Sequence, residues 1–329
     1  MRKVVLLLSS VALGTSLLVL GPAANTSAGF ASQDASAAIQ SVSPAVAPSG
    51  EAAALPAAPA THGIAVPGNP PAGPLSQDLK AAVAGYVGEL SRQPGFEKWA
   101  HADWTSQPLG PGTHGWVVLL RSGEQEIGYL IVHADEKGSY RLTEYGKGSF
   151  PLFSQNTLYR SLVRLELIEY TYRAEPYYWN PLQAVWKVTV DNADRIWYID
   201  AKTGEELPFM TAGGFPEPSS SLQTFTKTEA QHTIVQAGHT TPADPYARLS
   251  WVKGTPSAAD PSFALLQSQI KAGTPPVFAA ELYSGKVITP LGVSGYHEWS
   301  GSDRYVQVIQ DDDRYLPLDA LTHLGHFYP

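Results

Sequence analysis

Residues 184–208 read AVWKVTVDNADRIWYIDAKTGEELP, and the reading of this stretch decides the fold. Runs 185–190 and 195–199 alternate apolar and polar side chains around Asp191, Asn192, Ala193 and Asp194. A second turn signal, Lys202, Thr203, Gly204 and Glu205, closes the unit. Successive strand side chains point to opposite faces. Period-two alternation between Asn-, Asp- and Gly-bearing turns therefore predicts a β-hairpin with one buried face.

The end of this hairpin, with Tyr198, Asp200, Ala201, Thr203, Gly204 and Glu205, resembles the Tyr-x-Asp-Ala-x-Thr-Gly-Glu pattern of the PepSY family. The resemblance covers about residues 170–208 and implies a structural module rather than an activity. PepSY-like modules accompany secreted peptidases as propeptides or inhibitory segments.

The chain opens with Arg2 and Lys3, an apolar run over residues 4–20, and small residues around Ala24 and Ala28. Charge, apolar core and small-residue exit predict a signal peptide over residues 1–28, hence a secreted, extracellular protein. The alternative is an uncleaved segment anchoring the chain at the cell surface, its only membrane contact, since the run is almost long enough to span a bilayer. Residues 29–74 are mostly Ala, Pro, Ser and Gly, a composition that predicts a disordered linker. The chain contains no cysteine, which excludes disulfides, thiol catalysis and zinc–thiolate sites. Its net charge is −8, moving to about −10 if residues 1–28 with Arg2 and Lys3 are removed, and this argues against a nucleic-acid partner.

The remaining 255 or so residues suffice for two ordinary domains. Leu79, Val83, Tyr86, Val87 and Leu90 recur at helical spacing over residues 75–92, with Ser76 as N-cap. Segments 116–121, 127–133 and 139–145 read as an antiparallel meander, and 158–168 as a second helix. The predicted class is α+β, with tandem helix-plus-antiparallel-sheet units in a PepSY-like region over 75–212; the unit at 75–150 is read either as a diverged second copy or as an independent unit of the same element order, since no residue-level repeat links the two. A loop-rich connection over 213–262 leads to a C-terminal region over 263–329. There a helix is expected at 263–271, strands at 277–282, 287–296 and 305–310, and a last helical turn at 318–324.

Residues 263–329 resemble the C-terminal half of bacterial papain-like cysteine peptidases of the bacteriocin-processing type. The helix ends at Gly273, Pro275, Pro276 and Val277; Val293, Ser294, Gly295 and Tyr296 match that family's Val-x-Gly-Tyr turn; Asp311, Asp312 and Asp313 match its acidic turn. The family's catalytic histidine sits six residues before the turn's glycine, where this chain has Thr289. With no cysteine and no histidine there, the resemblance implies a small degenerate peptidase domain without its dyad.

Other side chains admit a chemical reading beside a plainer one. His297 with Ser294 would make a base and nucleophile; the plainer reading is a loop histidine against an aromatic. Asp319, His323 and His326 share a helical face only if the helix runs past Gly325, and are otherwise a solvated face. The acidic turn lacks the alternate spacing and glycine of a calcium loop, and Arg304 and Arg314 stand nearby as ion-pair partners. Glycine-rich residues 109–115 read as a wide turn into a strand rather than a phosphate loop. Tyr170, Tyr172, Tyr177, Tyr178 and Trp179 are either a stacking surface or core.

No residue is thus assigned a catalytic, cofactor-binding or metal role, and no cofactor is implied. The expectation is an exported, non-catalytic binding or regulatory protein whose partner is a peptide, a secreted peptidase or a cell-wall component. The hairpin's exposed strand edge would suit capture of an extended peptide. The alternatives are a secreted hydrolase with a Ser/His/Asp site, where His297 or His114 would meet a serine and a carboxylate in a cleft, and a surface-anchored structural protein.

Overall fold

A computed structural model describes residues 4–5, 76–110, 113–135, 138–209, 233–257 and 262–329. All of them belong to one compact unit formed by Met1–Leu6 and Gly63–Pro329. The segments read as signal peptide and linker lie outside the described residues, apart from Val4–Val5. No described helix is long and apolar enough to cross a membrane.

In chain order the elements are β1 (Val4–Val5), α1 (Gln77–Leu90), a 3-10 turn (Glu97–His101), β2 (Asp103–Pro108), β3 (Gly115–Ser122), β4 (Gln125–Ala134) and β5 (Tyr140–Lys147). Then come α2 (Gln155–Arg164), β6 (Tyr172–Asn180), β7 (Gln183–Val190) and β8 (Ile196–Asp200). The rest are β9 (Ile234–His239), α3 (Ser250–Lys253), α4 (Phe263–Lys271), β10 (Val277–Leu282), β11 (Val287–Trp299), β12 (Arg304–Gln310), β13 (Asp312–Pro317), α5 (Leu318–Leu324) and β14 (Gly325–Tyr328). The class is α+β. Apart from the parallel β1–β11 pair, the strands are antiparallel.

Helix ends follow local chemistry. Ser76, Ser154 and Ser262 each accept an N–H of the first turn of α1, α2 and α4. The second helix stops at Arg164 rather than Ile168. Glu166 turns left-handed (φ 57°), and the Leu167 and Glu166 N–H groups bond back to the Leu162 and Val163 carbonyls, a Schellman closure. Strands β2, β9, β13 and β14 escape the sequence pattern: β2 and β9 carry few bulky apolar residues, β13 starts inside the acidic run, and β14 is only four residues long.

Eleven strands form one sheet, ordered β14-β10-β11-β12-β13-β5-β4-β3-β2, with β1 and β9 also on β11. The C-terminal strands join the N-terminal meander where β13 pairs with β5, through Arg314–Gly146 and Tyr315–Tyr145. On one sheet face α1 and the 3-10 turn cover Val118, Leu130, Tyr145, Trp299 and Tyr315. On the other lie α2, α4, α5 and the separate sheet β6-β7-β8.

The signature hairpin β7–β8 is buried on both faces, not one. Ala184, Trp186, Val188, Trp197 and Ile199 join the core beneath α2. The intervening Val185 and Tyr198 join the core of α4, α5 and the C-terminal strands, with Ile196 packed against it. Of the positions expected to face water, Val185, Ile196 and Tyr198 are themselves apolar and are driven to burial, while Lys187 and Thr189 stay half-buried.

A buried ion pair ties these layers together. Thr143 is an extra residue in β5, since Ile131 pairs with Glu144 but Val132 with Leu142. This bulge turns Glu144 to the same face as Tyr129. Gly146 sits in register between Tyr129 and Arg314, and a Cβ there would lie 2.5 Å from the Tyr129 ring. Through this gap Arg314 Nε donates to the Tyr129 hydroxyl at 2.9 Å, and Nη2 pairs with Glu144 and donates to the Pro181 carbonyl at 2.6 Å. Nη1 bonds Gln310, and the Tyr178 hydroxyl donates to Glu144 at 3.0 Å. Burial opposes the Arg314 charge, but the Glu144 carboxylate and Tyr129 outweigh it and hold the guanidinium above its ordinary pKa.

Removing one partner strands a charge in the core. Arg314→Met is expected to cost about 3–5 kcal/mol, while Arg314→Met combined with Glu144→Leu recovers most of that loss. Urea unfolding of the single and double variants measures the coupling; additive losses would contradict it.

Candidate functional site

The signature residues build a docking turn. Asp200 Oδ1 accepts the N–H groups of Lys202 (2.9 Å) and Thr203 (2.8 Å), fixing the chain reversal. Gly204 has φ +74°, and a Cβ on it would lie 2.5 Å from Ser161 Oγ. Its carbonyl accepts Ser161 Oγ at 2.7 Å and Arg164 Nη2 at 2.6 Å, which fastens α2 to the hairpin. Ala201 is fully buried; its N–H bonds the Ala184 carbonyl and its carbonyl accepts the Phe153 N–H. The residues that carry the resemblance are therefore turn and contact residues.

The same turn meets the acidic turn at 311–313. Lys202 is buried, donates through Nζ to the Phe150 carbonyl at 2.6 Å, and lies 3.9 Å from Asp312. Burial, aided by the Arg314 charge, depresses its pKa to about 8 against the pull of Asp312, Asp311 and Asp200. Asp312 Oδ2 accepts the Phe150 N–H at 2.6 Å, and Asp313 pairs with Lys147 at 3.2 Å. Asp311 stands at the tip in a left-handed conformation (φ 60°) and is exposed by area. Enough protein still crowds its carboxyl that burial, with Asp200 and Asp312, raises its pKa. Burial and Asp200 also raise Glu205.

Two open clefts flank Asp311 and share it as a wall. One, of about 470 Å³, is bounded by Lys98, Trp99, Glu126, Lys147 and the acidic turn. The other, of about 320 Å³, is bounded by Phe150, Thr157, Ser161, Arg160, Arg164 and Thr203. Both present charges of either sign with hydroxyl or amide groups. Ligand-sized concavities with convergent polar groups and shifted pKa values are candidate binding sites.

The structure separates the other residues singled out by sequence. Ser294 is the extra residue of a bulge in β11, and its buried Oγ has no hydrogen-bond partner among the described residues. His297 lies deep in an aromatic cluster, stacked on Tyr315 at 4.4 Å. The Tyr145 hydroxyl accepts the Trp299 indole N–H and donates to His297 Nδ1 at 2.8 Å. It is therefore a core histidine, not a surface-loop one, and is not hydrogen-bonded to Ser294. Burial, then the Lys147 charge, depresses its pKa to about 3. His114 is exposed in the turn before β3.

Gly325 ends α5, so His326 lies on β14, off the helical face expected with Asp319 and His323. No group of three metal-ligating side chains occurs among the described residues. Arg314 turns inward to Glu144 rather than to the acidic turn beside it, and Arg304 pairs with Glu298. Thr289 is half-buried opposite Ala280 and borders neither cleft. Gly110 approaches the Pro176 carbonyl, and the Leu109 N–H bonds the Gly115 carbonyl, closing a wide turn.

The aromatic cluster divides. Tyr178 is buried, Tyr177 stacks on Trp179 at 5.6 Å against the core, and Tyr170 is exposed. The hairpin's outer edge is also occupied, since Glu206 bridges Ile199 and the Leu207 N–H bonds the Tyr198 carbonyl. Sequence reasoning missed Lys147, Lys202, Arg160 and Arg164. Only the arginines left a signal, a like-charged i,i+4 pair in an acidic chain.

Gly204→Ala forces a left-handed Cβ into Ser161, and an expected loss of about 2–4 kcal/mol in urea unfolding follows. A second expectation concerns pH. His133 donates from Nδ1 to Thr143 at 2.8 Å, and burial lowers its pKa, like that of His297, to about 3. Unfolded histidines titrate near 6.5, so between about pH 6.5 and 3 the unfolded chain binds more protons. Stability is full above 6.5 and falls as pH drops, by about 4 kcal/mol in all between pH 7 and 5. Equal urea midpoints at the two pH values would contradict this, and His297→Gln should remove about half of the loss.

Compared with protein-family models, with curated proteins and with solved structures, the chain matches none.

Proposed function

We propose that the chain is an exported, non-catalytic binding protein that holds polar peptides along the groove centred on Asp311. The observation that carries this reading is the pair of open clefts meeting at that residue, each with charges of both signs. A peptide presents carbonyl acceptors, amide donors and termini of opposite charge, and so complements such walls. An apolar ligand would leave their charges desolvated and unpaired.

Rigidity supports the same reading. The shared wall rests on the buried Lys202 and on Asp312, which is bonded to the Phe150 backbone, so ligand binding has little protein to order. The non-catalytic part of the reading draws support from the two buried histidines, both engaged by neighbouring hydroxyls. Export rests on the N-terminal charge, apolar run and small-residue exit.

Titration calorimetry of the full chain with short Lys- and Glu-containing peptides tests the proposal. Binding in the micromolar to millimolar range is expected, weakening at high salt because the groove is open to solvent. Lys147→Gln should weaken it about fivefold or more, the loss of one partly screened charge contact. Absence of binding for every peptide, or release of cleaved fragments, would overturn the proposal.

A further inference from the structure

We infer that the cleft under α2 receives the free C-terminal carboxylate of the bound peptide, held between Arg160 and Arg164. This rests on the peptide-binding reading and adds to it a direction and a chemical selectivity.

The two arginines are one helical turn apart and both border the 320 Å³ cleft. Like charges at i,i+4 destabilise a helix, and neither guanidinium lies within ion-pair distance of a carboxylate among the described residues, Asp311 and Glu205 acting on Arg160 and Arg164 only from further off. A shared anion would reverse that repulsion. The surrounding chain, at net charge −8, disfavours anions elsewhere.

Both side chains are already oriented. Arg160 lies over the Phe150 ring at 4.9 Å and bonds Asn156 and Thr157 through Nε and Nη2. Arg164 is anchored through Nη2 to the Gly204 carbonyl. Each retains its Nη1 donors, which no described group engages. Planar guanidinium donors match the two oxygens of a carboxylate, and preorientation reduces the entropy lost on binding.

Asp311 sets the polarity. It forms the wall between the two clefts, so a second carboxylate at the junction would be repelled, while an ammonium or amide is tolerated. The peptide therefore enters the α2 cleft carboxyl end first, and its preceding residues lie toward Lys147.

The test compares one Lys- and Glu-containing tetrapeptide in three forms, with free termini, with a C-terminal amide and with an N-terminal acetyl group. Amidation should weaken binding about tenfold, the worth of one charge-assisted bidentate contact, and acetylation should have little effect. In Arg160→Gln with Arg164→Gln, shown to be folded by its circular dichroism because Arg164 also bonds the Gly204 carbonyl, the free and amidated forms should bind equally. Equal binding of both forms by the unsubstituted protein would overturn the inference and leave peptide binding standing. Binding of none of the forms would remove the parent proposal as well. Displacement of the peptide by inorganic phosphate without any effect of amidation would mark a general anion site and also overturn the inference.

Discussion

The Arg314–Glu144 pair is the interaction on which the rest of the architecture depends. It brings together β13, the bulged β5, the Tyr129 position of β4, the Tyr178 position of β6 and the Pro181 carbonyl of the next turn. Two charges in a core are expensive to desolvate, and only a nearly complete set of donors and acceptors makes the arrangement tolerable. Such a network contributes less to stability than to uniqueness. A one-residue slip of β13 against β5 would send Arg314 to the opposite face and leave Glu144 alone.

The signature turn shows how a sequence pattern can report architecture without chemistry. Asp200 supplies the turn, Gly204 the close approach to α2, and Ala201 a fully buried contact. None of them borders either of the two clefts at Asp311. Their neighbours Lys202 and Thr203 reach the clefts beside Asp311, one as a buried support and the other as part of a wall. The groove inherits its shape from the turn and its chemistry from side chains the pattern does not specify.

What was legible in the sequence was local. The helix at 263–271, the strand at 277–282 and the helix at 318–324 emerge with the expected bounds, because periodicity and flanking Gly or Pro act within a few residues. Ser76 acts as the expected N-cap for the same reason. Partner choice was not legible. Arg314 has three aspartates immediately before it, yet pairs with a glutamate 170 positions away, because a bulge at Thr143 and a glycine at 146 open the path. The burial of both hairpin faces was hidden too, since period two distinguishes the faces but does not say what covers each. His297 looked like a loop residue because β11 runs three residues beyond its expected end. The candidate groove is assembled from α2, the hairpin turn and the acidic turn, and no pattern short of the tertiary fold joins them.

The junction of β5 with β13 also has a temporal meaning. A ribosome adds residues in order, and β13 begins at Asp312, far beyond the end of β5 at Lys147. Until then β5 presents an unpaired edge, and Glu144 has no counter-charge. Closure across so large a sequence separation is slow, and the open edge is a site for mispairing while it lasts. The finished fold is therefore available only once the chain has been made through β13, and a product that stops before it carries both an exposed strand and an unmatched buried acid.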